Sequence, residues 1–173
     1  MEKIKARLVS EKVFSNSKQA FDLFENQRFG ERTGEKIYYS LPETLFLVET
    51  KKMEIVDSNG KQIKEENLFK KFEKIDKKFK TKYFVFSDLR QKGYIVKTAL
   101  KFGAEFRVYD KGKFVGEDHA RWILFPVSEN QEMTWHDFSA KNRIAHSTNK
   151  KLLISVVDEE GEVSYYEVNW LKI

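Results

Sequence analysis

The sequence contains no cysteine, so disulfides, thiolate metal sites and cysteine nucleophiles are excluded. Only three histidines are present, His119, His136 and His146, which argues against a zinc site. No metal and no cofactor are expected. Proline (2) and glycine (8) are scarce, and no low-complexity linker or internal repeat is visible. No apolar run reaches the roughly 18 residues of a membrane span. No signal peptide opens the chain. The expectation is a soluble, cytoplasmic protein with no membrane partner.

Aromatic residues are plentiful: 15 Phe, 7 Tyr and 3 Trp in 173 residues. Such a chain can offset the entropy of ordering, which excludes wholesale disorder. The length allows one domain or two small ones. Net charge is +5, from 32 Lys and Arg against 27 Asp and Glu. That balance permits a nucleic-acid partner without establishing one. The charge is unevenly spread. Residues 61–82 hold nine lysines against Glu65, Glu66, Glu73 and Asp76. Residues 158–173 hold Asp158, Glu159, Glu160, Glu162 and Glu167 against Lys172. The ordinary role of a lysine-rich segment is a solvated helix face. The other is to meet an acidic segment on a second copy of the chain.

Periodicity divides the chain. Loose alternation over the first 15 residues suggests strand, and residues 17–27 show helical spacing. Residues 30–34 read as a turn. Ser40 and Pro42 start a helix over 41–52. A strand over 53–56 closes in the turn Asp57-Ser58-Asn59-Gly60. Helices follow over 65–75 and 79–92. After Gly93 the pattern turns to β: strands over 94–98, 102–109, 119–127, 150–157 and 163–171. A helix over 134–146 interrupts them, capped by Thr134 with Asp137 in its first turn. A domain boundary falls near Lys78, giving units 1–78 and 79–173.

Three polar residues sit at strand ends: Tyr109, His119 and Lys150. Strand ends of one sheet can converge, and a Tyr, a His and a Lys make a workable metal-free phosphodiester site. One group removes a proton from a 2′-hydroxyl, one protonates the leaving 5′-oxygen, and a fixed cation stabilises charge on phosphorus. Each residue also has an ordinary role. A strand-end Tyr packs with its hydroxyl in water. A His at a strand start faces solvent. A lysine at a strand edge deters sheet-to-sheet association.

The segments Gly93-Tyr94-Ile95-Val96-Lys97-Thr98 and Leu100-Lys101-Phe102-Gly103-Ala104-Glu105-Phe106-Arg107-Val108-Tyr109 carry more specific information. With them go Glu117-Asp118-His119, Arg143-Ile144-Ala145-His146-Ser147 and the run from Lys150 to Asp158. Together these strongly resemble the archaeal tRNA-splicing endonucleases, in order and spacing, from about Lys82 onward. Before residue 78 only element order and length fit. The resemblance implies an α/β (α+β) fold. A small N-terminal domain of helices and antiparallel strands precedes a nuclease-like domain whose mixed central sheet is flanked by helices. It implies Tyr109 as general base, His119 as general acid and Lys150, rather than Lys151, as the transition-state cation. The products implied are a 2′,3′-cyclic phosphate and a 5′-hydroxyl. A free tyrosine, with pKa about 10, is a poor base at neutral pH. A cation such as Lys150 is therefore expected to depress it.

The implied substrate is precursor tRNA, recognised at two bulges flanking a short helix. Bulged bases can be splayed out and stacked where an A-form groove cannot be read. The family pattern places Arg143 against a bulged base, with Tyr165 and Trp170 as candidates for the opposing group. Arg143 could instead simply complement a helix dipole. The resemblance also implies four-chain assembly, either a homotetramer or a heterotetramer with a related structural subunit. A closing strand exposing Tyr166, Val168 and Trp170 would pair with a partner. Asp158, Glu159 and Glu160 would insert into a basic cleft of another subunit. The alternatives are a noncatalytic RNA-binding subunit of the same complex, or a metal-dependent nuclease using Glu105 and Asp110.

Overall fold

The computed structural model describes residues 2–113 and 119–173. The chain divides into two units, Met1–Tyr83 and Phe84–Ile173. In the first, β1 (Ile4–Val9) alternates, with Ile4, Ala6 and Leu8 buried. It pairs antiparallel with β2 (Lys12–Ser15). Helix α1 (Lys18–Gln27) is capped by the Ser17 side chain, which accepts from the Ala20 amide. The hairpin β3 (Glu31–Thr33) and β4 (Lys36–Tyr39) follows. Helix α2 (Leu41–Glu49) opens on a reciprocal capping box between Ser40 and Glu43. The buried Glu43 carboxylate also accepts from the Gly30 amide at 2.7 Å, which anchors the hairpin to the helix start. Strand β5 (Met53–Val56) pairs parallel with β1, and β6 (Gln62–Ile63) closes the edge. The sheet order is β3-β4-β2-β1-β5-β6. Helix α3 (Glu65–Ile75) buries Leu68 and Phe72.

Helix α4 (Phe79–Gln91) begins in the first unit and continues into the second. The second unit then forms β7 (Ile95–Thr98), β8 (Phe106–Tyr109), β9 (Trp122–Ser128), α5 (Trp135–Ser147), β10 (Lys151–Val157) and β11 (Val163–Val168). Sheet order is β11-β10-β9-β8-β7. Only β9 and β10 run parallel, and α5 makes the crossover between them. The sheet is thus mixed and flanked by helices, and the fold is α+β. On one face α5 covers Ile123, Phe125, Leu152 and Ile154. On the other, Phe86 of α4 meets Phe106, with ring centroids 6.1 Å apart. Gly161 (φ +89°) lies so close to Phe84 that a Cβ there would come within 3.1 Å of the ring.

Several boundaries differ from the sequence reading, among them the end of α2, which stops at Glu49 rather than at 52. Residues 30–34 lie in a hairpin rather than a lone turn, because β4 pairs with β2 and carries β3 with it. The segment after β7 is a 3-10 turn over Leu100–Phe102, and β8 begins only at Phe106. The left-handed Gly103 (φ +74°) breaks the run. Strand β9 begins at Trp122, three residues past His119. Strand β11 ends at Val168, opposite Leu152, where β10 has one residue left. Among the described residues no helix is long and apolar enough to cross a membrane.

Candidate active site

Strand directions place the polar residues. β8 runs antiparallel to β9, and β9 runs parallel to β10. The C-terminal end of β8 therefore shares one sheet edge with the N-terminal ends of β9 and β10. Tyr109 is the last residue of β8, His119 precedes β9, and Lys150 immediately precedes β10. The backbone of Arg121 joins all three segments. Its N–H donates to the Val108 carbonyl at 2.9 Å, and its C=O accepts from the Lys151 N–H at 3.0 Å. Two ladder steps of about 4.8 Å thus separate the backbones carrying Tyr109 and Lys150. His119 lies two residues before that bridge. Glu117 and Asp118, the rest of the His119 motif, lie outside the described residues.

The local sequence explains each placement. Thr148 caps α5, its N–H reaching the Ile144 carbonyl at 3.2 Å. Asn149 takes a left-handed conformation (φ 55°), which Asn tolerates better than most residues. The chain turns there and delivers Lys150 to the sheet edge. Tyr109 is buried and clusters with Ile95, its partner across the strands, and with Ala120. The Arg107 guanidinium carbon lies 5.9 Å from the centroid of the Tyr109 ring. His119 is exposed, and Lys150 is half-buried. The Lys150 ammonium donates to the Thr148 carbonyl at 2.9 Å and lies 5.8 Å from the centroid of Phe102.

The neighbouring lysine is committed elsewhere. The Lys151 ammonium binds the Glu167 carboxylate at 2.6 Å. Trp122 Nε1 donates to the same carboxylate at 2.7 Å, and Arg121 lies 3.9 Å from it. The Lys151 hydrogen bond, followed by that of Trp122, holds the Glu167 carboxyl below the usual range. Arg121 also pairs with Asp110 at 3.4 Å. This network, invisible to sequence reasoning, spans three strands.

The same edge receives two further residues, since α5 ends there and β11, antiparallel to β10, also ends there. Arg143 is exposed on α5, one turn before His146. Trp170 packs edge-on against His146, with ring centroids 4.4 Å apart. Tyr165 has the opposite parity. Its hydroxyl donates to Asp88 of α4 at 2.6 Å, and burial followed by that bond pushes it up from the ordinary tyrosine range. The acidic turn lies at the far end of the sheet. There the Glu162 N–H donates to Asp158 Oδ1 at 2.8 Å and the Glu159 N–H to Glu129 at 2.9 Å. Glu159 and Glu160 are exposed, as is Tyr166, while Val168 packs against the α5 core.

Glu105 and Asp110 flank β8 at opposite ends, separated by roughly 16 Å at about 3.3 Å per residue. They cannot share a metal ion. Among the described residues no three His, Asp or Glu side chains gather as a ligand set.

Two family models match the chain. That of the tRNA intron endonuclease catalytic C-terminal domain covers residues 79–165, and that of the N-terminal domain covers 4–69. Over 172 residues the chain is 40% identical to the tRNA-splicing endonuclease of Thermococcus onnurineus, spanning 99% of this chain and 98% of that protein. It is 39% identical over 166 residues to that of Pyrococcus horikoshii, spanning 95% of each. The Methanothermobacter thermautotrophicus protein is 35% identical over 150 residues, spanning 87% of this chain and 86% of that one. With both domain models matched in chain order, the catalytic domain among them, and identities of this size over nearly the whole length, the chain belongs to the tRNA intron endonuclease family and is an enzyme.

Proposed function

We propose that this chain is a metal-independent endoribonuclease that excises introns from precursor tRNA at bulge-helix-bulge sites. The single observation that carries the reading is the shared edge of β8, β9 and β10, tied by the Arg121 backbone, where Tyr109, His119 and Lys150 sit. Tyr109 takes the proton of the 2′-hydroxyl. The freed oxygen attacks the adjacent phosphorus, and the bond to the 5′-oxygen breaks. His119 gives that oxygen a proton, and Lys150 stabilises the negative charge of the phosphorane-like transition state. The products are a 2′,3′-cyclic phosphate and a 5′-hydroxyl.

A bulged base stacks against Arg143, with Trp170 opposite. Trp170 is favoured over Tyr165 because it lies against the last turn of α5, whereas Tyr165 is bonded to Asp88 on the other face. Residues 1–78 and 79–173 act as the N-terminal and catalytic domains. The working form is a tetramer, of identical chains or with a related structural subunit, in the cytoplasm. The exposed edge of β11 and the acidic turn at Asp158, Glu159 and Glu160 supply the contacts.

The test is incubation of the purified chain with an intron-containing precursor tRNA in EDTA, with analysis of the ends. Cleavage leaving cyclic phosphate, lost in Tyr109→Phe, is expected. Cleavage that requires a divalent cation, or that Tyr109→Phe leaves near the wild-type rate, would overturn the reading.

A further inference from the structure

Lys150 is held by two groups, and neither is an anion. Its ammonium donates to the Thr148 carbonyl at 2.9 Å and faces the Phe102 ring at 5.8 Å. Among the described residues it forms no ion pair, in contrast to Lys151, whose charge is matched by Glu167. Phe102 is 48 positions away in sequence. It arrives on the 3-10 turn Leu100–Phe102, whose flanks are fixed. Ala99 and Ala104 are buried in the α5 core, joined by a 3.3 Å bond from the Ala104 N–H to the Ala99 carbonyl. Gly103 rests against Ile144 of α5, where a Cβ would lie 3.6 Å from its methyl. Phe102 nevertheless remains 37% exposed, so the turn presents the ring rather than burying it.

From this arrangement we propose that Phe102 is a positioning residue for the Lys150 ammonium. The inference rests on the site proposed above. A lysine carries its charge on a flexible four-carbon stem and loses rotamer entropy whenever it is fixed. A carboxylate would fix it but cancel the charge that the transition state needs. A carbonyl and an aromatic face fix it and leave its full charge. The ring lies within the roughly 6 Å at which a cation–π contact is felt. The group is then oriented before the reaction, without reorganisation during it.

The test uses the full chain under single-turnover conditions with saturating enzyme and a precursor tRNA. Binding is measured separately on the same RNA carrying 2′-deoxy sugars at the scission sites. Phe102→Leu is expected to slow cleavage by about three- to tenfold, the range a cation–π contact carries. Affinity for the deoxy RNA stays unchanged, and Phe102→Tyr or Phe102→Trp restores the rate. A loss confined to affinity would make Phe102 an RNA contact and overturn the proposal. A loss that neither aromatic variant restores would make it a packing residue, with the same result. Lys150→Ala separates the two levels of inference. If Lys150→Ala cleaves normally, the active-site reading falls. If Lys150→Ala is crippled while Phe102→Leu matches the wild type, only the positioning role falls.

Discussion

Two adjacent lysines, Lys150 and Lys151, offer a sharp discrimination, because one chain position reverses what each side chain meets. Lys151→Ala removes a 2.6 Å ion pair with Glu167, between side chains that are 45% and 29% exposed. Pairs that exposed contribute about 1 kcal/mol or less. Glu167 also keeps its bond from Trp122 at 2.7 Å. Cleavage by Lys151→Ala should therefore stay within about fivefold of wild type, a factor equivalent to ~1 kcal/mol. Lys150→Ala removes a contact to a carbonyl and a ring, so the thermal midpoint should hardly move. On the proposed mechanism it also removes the cation that stabilises the reacting phosphate. By analogy with deleting one preorganised donor to a developing oxyanion, the rate should fall by about 10²–10³-fold. The assay is single-turnover cleavage of an end-labelled precursor tRNA in EDTA, with thermal unfolding of both variants run alongside. A Lys151→Ala defect equal to or larger than that of Lys150→Ala would refute the assignment of the cation.

Neutralising Asp158, Glu159 and Glu160 together should dissolve the proposed tetramer at moderate salt, and an intact tetramer in sedimentation would count against their role in assembly. Trp170→Ala should weaken binding of an uncleavable bulged RNA by about 5- to 150-fold, the equivalent of losing one stacking partner. Tyr165→Phe should leave that affinity unchanged and lower stability by about 1 kcal/mol through the lost bond to Asp88. Gly161→Ala should cost about 2 kcal/mol or more. It would place a side chain at positive φ and 3.1 Å from the Phe84 ring, and Phe84→Leu in the same chain should return part of the lost melting temperature. Glu167 has a depressed pKa, so its stabilising contacts are complete above the ordinary glutamate range near 4.3 and are lost as pH falls through the folded value. Trp122 fluorescence should report that loss in acid, and Glu167→Gln should abolish the transition.

Features fixed by neighbouring residues were legible in the sequence. The caps at Ser40 and Thr134 are local, and helices α2, α3 and α5 start where those signals and periodicity place them. Strand β3 was not legible: Glu31, Arg32 and Thr33 are all exposed, carry no alternation, and are strand only because β4 lies beside them. The start of β8 was misread because Phe102, Ala104 and Phe106 alternate like a strand, while the break depends on Gly103 packing against Ile144. At the candidate site, the positions of Tyr109, His119 and Lys150 near strand ends could be read, but strand order was needed to put those ends on one edge. The contacts of Phe102 with Lys150, and of Glu167 with Trp122 and Lys151, join residues 16 to 48 positions apart. No local pattern encodes them.

The Arg121 backbone has a consequence for how such an enzyme can diversify. It ties the segments of Tyr109 and Lys150 to β9 through two backbone hydrogen bonds, beside strands spaced as in any β-sheet. No side-chain substitution lengthens or shortens that spacing. If Tyr109 and Lys150 act as proposed, the backbone segments they act from stay two strands apart as long as the sheet forms. In the proposed enzyme, variation in the RNA accepted would then arise elsewhere, at Arg143 and Trp170 and at the surfaces that set the spacing between copies. On that reading the spacing of the catalytic segments rests on backbone hydrogen bonds and RNA recognition on side chains, so the second can drift without disturbing the first.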